Sequence, residues 1–440
     1  MKGTKLVPLL AVGLLLFAGC RDQPMPTAPD DVALTVSEDR FGGAPPFRAR
    51  LVSRTMLAED IVHYSWELPV GSGPFETVRL HRVVRESLRP PYRPVPKMEG
   101  VMLLPGAPQL FETIFLPPPT GSVPLHESSV ALYLASNDID VWGMTYGWAY
   151  VPYGTSDFSF LKGWGIAKDA KHTEMALTLA RWMRSTSGQG AGPIHVMGFS
   201  YGGFLVYAVD GEDTQRPGKL KNVKGIIPAD GSTFKPATAG SKAAGCAALP
   251  GIVANIEAGS RYLENTSWRL GEAAVYEPDE PSAFINGYTN YQAAQVALIP
   301  AFCNGSADPG PPARVSLYHT DAQRVVDALG EPFLLGHPPY PYYPYQWQYD
   351  VYASWCEDPA YPVSFDDHLG DITVPILYIN RGAIGAYATT LTSSTDVTQV
   401  VLNPTGAPSE QRYGHADLFW ARDAADRVWR PIMEWIKAHE

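Results

Sequence analysis

Residues 194–205 read IHVMGFSYGGFL: a short apolar run, then Ser200 with Gly198 two places before it and Gly202 two places after, then a second apolar run. Ser200 is either a nucleophile or a small residue at a tight turn. A nucleophile held on a strand-to-helix elbow needs a strained backbone and an absence of neighbouring side chains, and glycines at these two offsets supply the room. The pentapeptide alone does not decide the matter. Its context does more, because IHVMGF is a buried-strand pattern and YGGFLVYAV is compatible with a helix.

The same alternation extends outward. GVMLLPGAP (100–108), DIDVWGMTYG (138–147), VKGIIPADG (223–231), VPILYIN (374–380) and VTQVVLN (397–403) are short, almost wholly apolar, and meet Gly, Pro or Asp at their C-terminal sides. Strands buried on both faces look like this, and helices between them mean a parallel sheet. Two such helices are legible. DAKHTEMALTLARWMRS (169–185) puts Met175, Leu179, Trp182 and Met183 at i, i+4, i+7 and i+8, and DAADRVWRPIMEWIKAHE (423–440) aligns Val428, Ile432, Trp435 and Ile436. Pro431 marks a kink or a fresh start in the second. Upstream, ARLVSRTML (49–57), IVHYSWEL (61–68) and TVRLHRVVRE (77–86) alternate β-branched or aromatic residues with polar ones, as antiparallel strands do. The predicted class is α/β, a mostly parallel sheet with antiparallel N-terminal strands and helices on both faces.

At this point the sequence resembles the α/β-hydrolase superfamily from about residue 50 to residue 438. The resemblance rests on G-F-S-Y-G in its strand–helix setting, on VMLLPGAP as the oxyanion strand and loop, and on RYGHADLF (412–419) after the last strand. It implies a serine hydrolase for carboxylic esters. Ser200 would attack, His415 would carry the proton, and the backbone N–H groups of Ala107 and Tyr201 would hold the oxyanion. Pro105 stands where the family usually has His, which leaves the N–H of Ala107 intact. The family acid usually follows the strand equivalent to VPILYIN, yet Arg381-Gly382-Ala383-Ile384-Gly385 holds no carboxylate. Asp230, ending VKGIIPADG, is the preferred acid and keeps the chain order Ser, Asp, His; Asp-Gly is equally a turn signal. Asp371, Asp396, Glu410 and Asp417 are the other candidates, with Asp417 disfavoured by its closeness to His415 in the chain. His195, inside the buried run, reads as a core histidine. Peptide or amide hydrolysis, acyl transfer, and a non-catalytic binding protein on the same fold remain open, since the pentapeptide does not separate them.

The stretch 236–370 reads as a mainly helical cap inserted before the last two strands, between core segments 48–235 and 371–440. Helices are expected in 282–302 and 319–330, and the aromatic segment 337–355, with Tyr340, Tyr342, Tyr343, Tyr345 and Trp347, is either a substrate wall or packing. The aromatics favour an apolar or aromatic ester.

Two lysines, an apolar run from Leu6 to Ala18 and a small residue before Cys20 have the layout of a secretory leader over residues 1–20. Phe17-Ala18-Gly19-Cys20 resembles a bacterial lipobox, which implies lipid modification at Cys20. Arg21, where inner-membrane retention usually shows Asp, points to the outer membrane. Residues 21–47, rich in Pro, Asp and Gly, read as a tether. Cys246, Cys303 and Cys356 allow one disulfide in an oxidising compartment, of undetermined pairing. A net charge of −11 with no basic cluster disfavours nucleic acid as a partner. No C-x-x-C or H-E-x-x-H occurs, the histidines show no metal-site spacing, and the expected chemistry calls for no metal or organic cofactor.

Overall fold

A computed structural model of the chain describes residues 48–440 other than 89–92, 97, 108, 120–122, 232–233, 265–266, 309–313, 322–323, 325–341 and 382. The expected leader, Cys20, the tether, Tyr340 and most of the helix expected at 319–330 lie outside the described residues.

Nine strands form one sheet among these residues: β1 (Arg50–Met56), β2 (Ile61–Pro69), β3 (Thr77–Arg85), β4 (Glu99–Leu104), β5 (Ile139–Thr145), β6 (Ile194–Phe199), β7 (Val223–Ala229), β8 (Ile376–Asn380) and β9 (Val397–Val401). Their order is β1-β2-β3-β5-β4-β6-β7-β8-β9. β1, β2 and β3 pair antiparallel, β3 meets β5 antiparallel, and every pairing from β5 through β4, β6, β7 and β8 to β9 is parallel. This is the mixed sheet that the apolar runs predict. β5 and β6 are buried at every position, and alternate residues feed two apolar layers: Ile194 and Val196 join one, Met197 and Phe199 the other. Each layer is covered by helices, so a strand without polar alternation is stable only at the centre. His195 is fully buried with its ring edge-on to Trp435 at 5.1 Å, a core position as read from the sequence.

The helix Ile166–Thr186 forms where expected, but its deepest face differs from the predicted one. Ile166, Ala170, Thr173, Leu177, Ala180 and Arg184 are buried together with Leu179, whereas Met175, Trp182 and Met183 are only partly buried. Alanines let the helix approach the sheet closely, and Arg184 is admitted because Asp140 accepts its guanidinium at 2.6 Å. Arg82 adds two further bonds to Asp140 at 2.8 and 2.9 Å, so this buried carboxylate stays charged. Burial alone would raise the Asp140 value; the two guanidiniums bring it below the usual range.

The last helix, Arg430–Ala438, has Pro431 in its first turn, where a missing N–H costs nothing, and follows a wider turn of helix over Ala425–Trp429. Between β7 and β8 the described chain is mainly helical: Ala239–Glu257, Ser267–Tyr276, Asn290–Phe302 and Gln346–Cys356. Cys246 and Cys356 form a disulfide between the first and last of these helices, and Cys303 is free and buried. No helix among the described residues is long and apolar enough to cross a membrane.

Candidate active site

Ser200 follows β6 directly and caps the helix Tyr201–Thr214 with φ 54° and ψ −113°, a region that a residue with a Cβ enters only under strain. Two backbone bonds hold it there: the Ser200 N–H donates to the Ala229 carbonyl at 3.0 Å, and its own carbonyl accepts from the Phe204 N–H at 3.1 Å. The flanking glycines are sterically required. A Cβ on Gly198 would collide with the Gly202 carbonyl, and one on Gly202 with the Leu104 carbonyl at the end of β4. Ser200 is half-buried at the head of a helix whose N-terminal dipole favours negative charge.

Gly106, in the loop after β4, comes so near Ser200 that a Cβ there would sit 2.9 Å from the serine Cβ. The loop is braced by the Gln109 N–H donating to Gly106 O at 2.8 Å and by the Tyr146 hydroxyl donating to Pro105 O at 3.0 Å. Ala107 is thus carried on a loop held against the elbow. Tyr201 is the first residue of its helix, so its N–H has no carbonyl one turn back to receive it. Its hydroxyl donates to Asp169 Oδ2 at 2.6 Å, and the same carboxylate accepts the indole N–H groups of Trp148 at 3.0 Å and Trp164 at 2.9 Å. Burial is the main influence on Asp169 and lifts it to about 6, against the pull of these three donors. The residue after Ser200 is therefore pinned at both ends.

His415 lies between β9 and the short helix Asp417–Trp420. Its Nδ1–H donates to Asp230 Oδ2, a contact between residues 185 apart in sequence. The imidazole also packs on Phe199, the residue before Ser200, with ring centroids 4.4 Å apart. Asp230 leaves β7 with φ 46°, its N–H donating to Ile379 O of β8 at 2.8 Å, which turns the carboxylate toward the sheet edge. Burial works to raise its value, yet the bonds to His415 and Arg381 prevail and hold it below the usual carboxylate range.

The other carboxylates considered are engaged elsewhere. Asp371 faces His368 at 3.2 Å and Asp396 faces His439 at 3.1 Å, while Glu410 accepts from Ser409 Oγ at 3.1 Å. Asp417 is fully buried and accepts the Asn304 N–H at 2.8 Å, the Gly414 N–H and the Thr320 hydroxyl, which ties the histidine loop to the helical insertion. Sequence reasoning missed Arg381. It stands just after β8, where the superfamily acid was sought and not found, and its Nε–H donates to the same Asp230 oxygen that faces His415. A basic residue where a carboxylate was expected was the available signal.

Of the aromatic segment, Tyr343 and Trp347 pack beside the elbow, with Trp347 edge-on to Tyr201 at 5.7 Å. Together with Pro344, Trp148, Trp164 and Ala107 they line a recess that leaves about 10 Å³ free. At the opposite half of the sheet the fold gathers His63, His81 and Glu112, a grouping that no spacing in the sequence had suggested.

No family model matches the chain, and no curated protein does. Among solved structures, a proposed lipase from Sulfolobus solfataricus superposes with a TM-score of 0.57 at 19% identity, over 87% of this chain and 95% of that one. An epoxide hydrolase from Vigna radiata gives 0.45 at 12% identity, covering 86% and 98%, and a monoacylglycerol lipase from Paleococcus ferrophilus gives 0.42 at 11% identity, covering 78% and 97%. Strand order, the elbow and the first of these likenesses agree: the chain has the α/β-hydrolase fold.

Proposed function

We propose that the protein is a serine hydrolase that cleaves carboxylic esters through an acyl-enzyme intermediate. The single observation that carries this reading is the Asp230–His415 bond beside a strained Ser200 at the end of β6. With Nδ1–H donated to Asp230, the His415 ring presents an unprotonated Nε2 and can take the Ser200 proton as its Oγ attacks the ester carbonyl. The N–H groups of Ala107 and Tyr201 receive the oxyanion. The imidazolium then returns its proton to the departing alkoxide, leaving Ser200 acylated; water attacks by the same route and frees the acid. Asp230 stays ionised throughout because Arg381 and His415 both favour its charged form.

The helical insertion serves in this reading as a cap. Tyr343 and Trp347 beside Tyr201 favour an apolar or aromatic ester, and the filled recess requires these side chains to move aside for a large group. The leader with its Cys20 motif supports export and lipid anchoring to a bacterial cell envelope, with the outer membrane favoured by Arg21. A fluorophosphonate probe tests the central claim. Wild type should form a single adduct, mapped to Ser200 by peptide mass, and should turn over nitrophenyl esters; Ser200→Ala should do neither while keeping its circular dichroism spectrum. A folded wild type that takes no label at Ser200 would favour a non-catalytic protein instead.

A further inference from the structure

The antiparallel half of the sheet carries a second cluster of chemistry-bearing side chains. In the β2–β3 register His63 lies opposite Val83 and Ser65 opposite His81, which makes the two histidines diagonal neighbours on one face. His63 Nε2 and His81 Nδ1 face each other at 3.1 Å, and Glu112 Oε1 lies 3.5 Å from His81 Nδ1. One ligand atom of each residue falls within 4.8 Å of the other two. Atoms bound tetrahedrally to Zn²⁺ at the usual bond lengths stand roughly 3.4 Å apart. Two of the three separations are already close to that value.

The surroundings fit the same reading. His81 Nε2 is 3.3 Å from Thr145 Oγ1, which also accepts the Phe111 N–H at 3.0 Å. An Nε2–H donated to Thr145 leaves Nδ1 with its lone pair toward His63 and Glu112, the arrangement that orients a ligating imidazole. His81 is fully buried and His63 nearly so. Glu112 Oε2 is sealed from solvent with no hydrogen-bond partner among the described residues, a costly state for a carboxylate that a bound cation would relieve. The nearby Arg79 guanidinium donates to Glu67 at 3.2 Å, a carboxylate that it shares with Arg50. His63 and Glu112 also lie on the wall of a cavity of about 500 Å³, lined otherwise by Arg79, Met56, Leu110, Leu116 and Tyr150 among others.

We infer that His63, His81 and Glu112 form a binding site for one divalent transition-metal ion of the zinc type, with a fourth coordination position facing this cavity. Two imidazoles and one carboxylate suit Zn²⁺ or Co²⁺ rather than Ca²⁺ or Mg²⁺, which take oxygen ligands. Occupancy ties Phe111–Phe115, the short helix that bears Glu112, to β2 and β3. The site stands apart from Ser200 and does not depend on the ester-hydrolase reading.

Tag-free full-length protein stripped with a chelator is titrated with Zn²⁺ by calorimetry and with Co²⁺ by visible absorption. Wild type and Ser200→Ala should each bind one equivalent and give the intense bands of four-coordinate Co²⁺. His63→Gln and Glu112→Gln should each weaken Zn²⁺ binding at least about tenfold, and Thr145→Val, which keeps all three ligands, by about 10–100-fold. Thermal melts of the metal-free variants separate loss of the ion from loss of the fold. Absence of stoichiometric binding by wild type overturns the inference, as does Co²⁺ bound without four-coordinate bands. Zn²⁺ affinity equal to that of wild type in His63→Gln and Glu112→Gln does so too, and should either variant fail to fold, the wild-type Co²⁺ spectrum decides.

Discussion

The two ends of the helix Tyr201–Thr214 hold carboxylates in opposite states. At its head, beside Ser200, Asp230 is met by His415 and Arg381 and held below the ordinary range. Along its second half, Asp210 is pushed up to about 8, first by burial and then by Asp213 and Glu174, with the pull of Lys221 against them. Glu174 is likewise lifted to about 7 by burial and Asp213, although Arg216 and Asn222 oppose the rise. Asp213 accepts the N–H groups of Asn222 and Val223 at 2.8–3.0 Å and serves to anchor the start of β7. A displaced carboxyl is therefore not in itself a sign of catalysis. What separates the two regions is the partner: a histidine that shares the edge with a strained serine at one end, backbone amides, other acids and Arg216 at the other.

The sharpest way to break this contrast is Asp230→Asn. The amide keeps the shape but loses the charge that fixes the His415 tautomer, so kcat on a nitrophenyl ester should fall by about 10²–10⁴-fold while circular dichroism still shows a folded protein. Loss of less than threefold would remove Asp230 from the chemistry. The counterpart at the far end is Asp210→Asn. Because the folded value of Asp210 lies above the unfolded one, the folded protein holds the proton longer, and stability falls as pH rises from about 4 to about 8. Asn has no proton to lose. The variant should gain about 1–3 kcal/mol over wild type at pH 8 and nothing at pH 4, read from urea unfolding at the two pH values, with activity unchanged.

Much of this was legible in the chain because the informative signals are local. A short, largely apolar run such as IHVMGF that meets glycine fits an interior strand, and G-F-S-Y-G between such a run and a helix-compatible one points to a strand-to-helix turn at Ser200. Asp230 stood out as a candidate for the same reason, as the polar residue that follows an apolar run. What could not be read depends on register and long-range packing. The pairing of His63 with His81 follows from which β2 residue faces which on β3, and Glu112 joins them only through the course of the loop after β4. The burial of Arg184 follows from Asp140 on β5, 44 residues away, and it moved the buried helix face off the one that hydrophobicity alone indicated. The Cys246–Cys356 pairing required two helices 110 residues apart to pack.

Arg381 gives the finest adjustment of the comparison. It donates to the same Asp230 oxygen that receives His415, and it is partly exposed, so its effect is screened by water. Asp230 has a depressed folded value; the stability it lends is complete above its unfolded value near 3.8 and is lost as pH falls through the folded value. Arg381→Gln removes one of the two hydrogen-bond donors that depress it. The folded value rises toward the unfolded one, the window of stabilisation narrows from its acid side, and the loss begins at higher pH. The midpoint of acid unfolding, followed by circular dichroism, should move up by about a few tenths of a pH unit, while kcat near neutrality stays within about tenfold because His415 still has its acceptor. A midpoint that moves down, or a rate that collapses as in Asp230→Asn, would show that Arg381 does more than bias the charge of its neighbour.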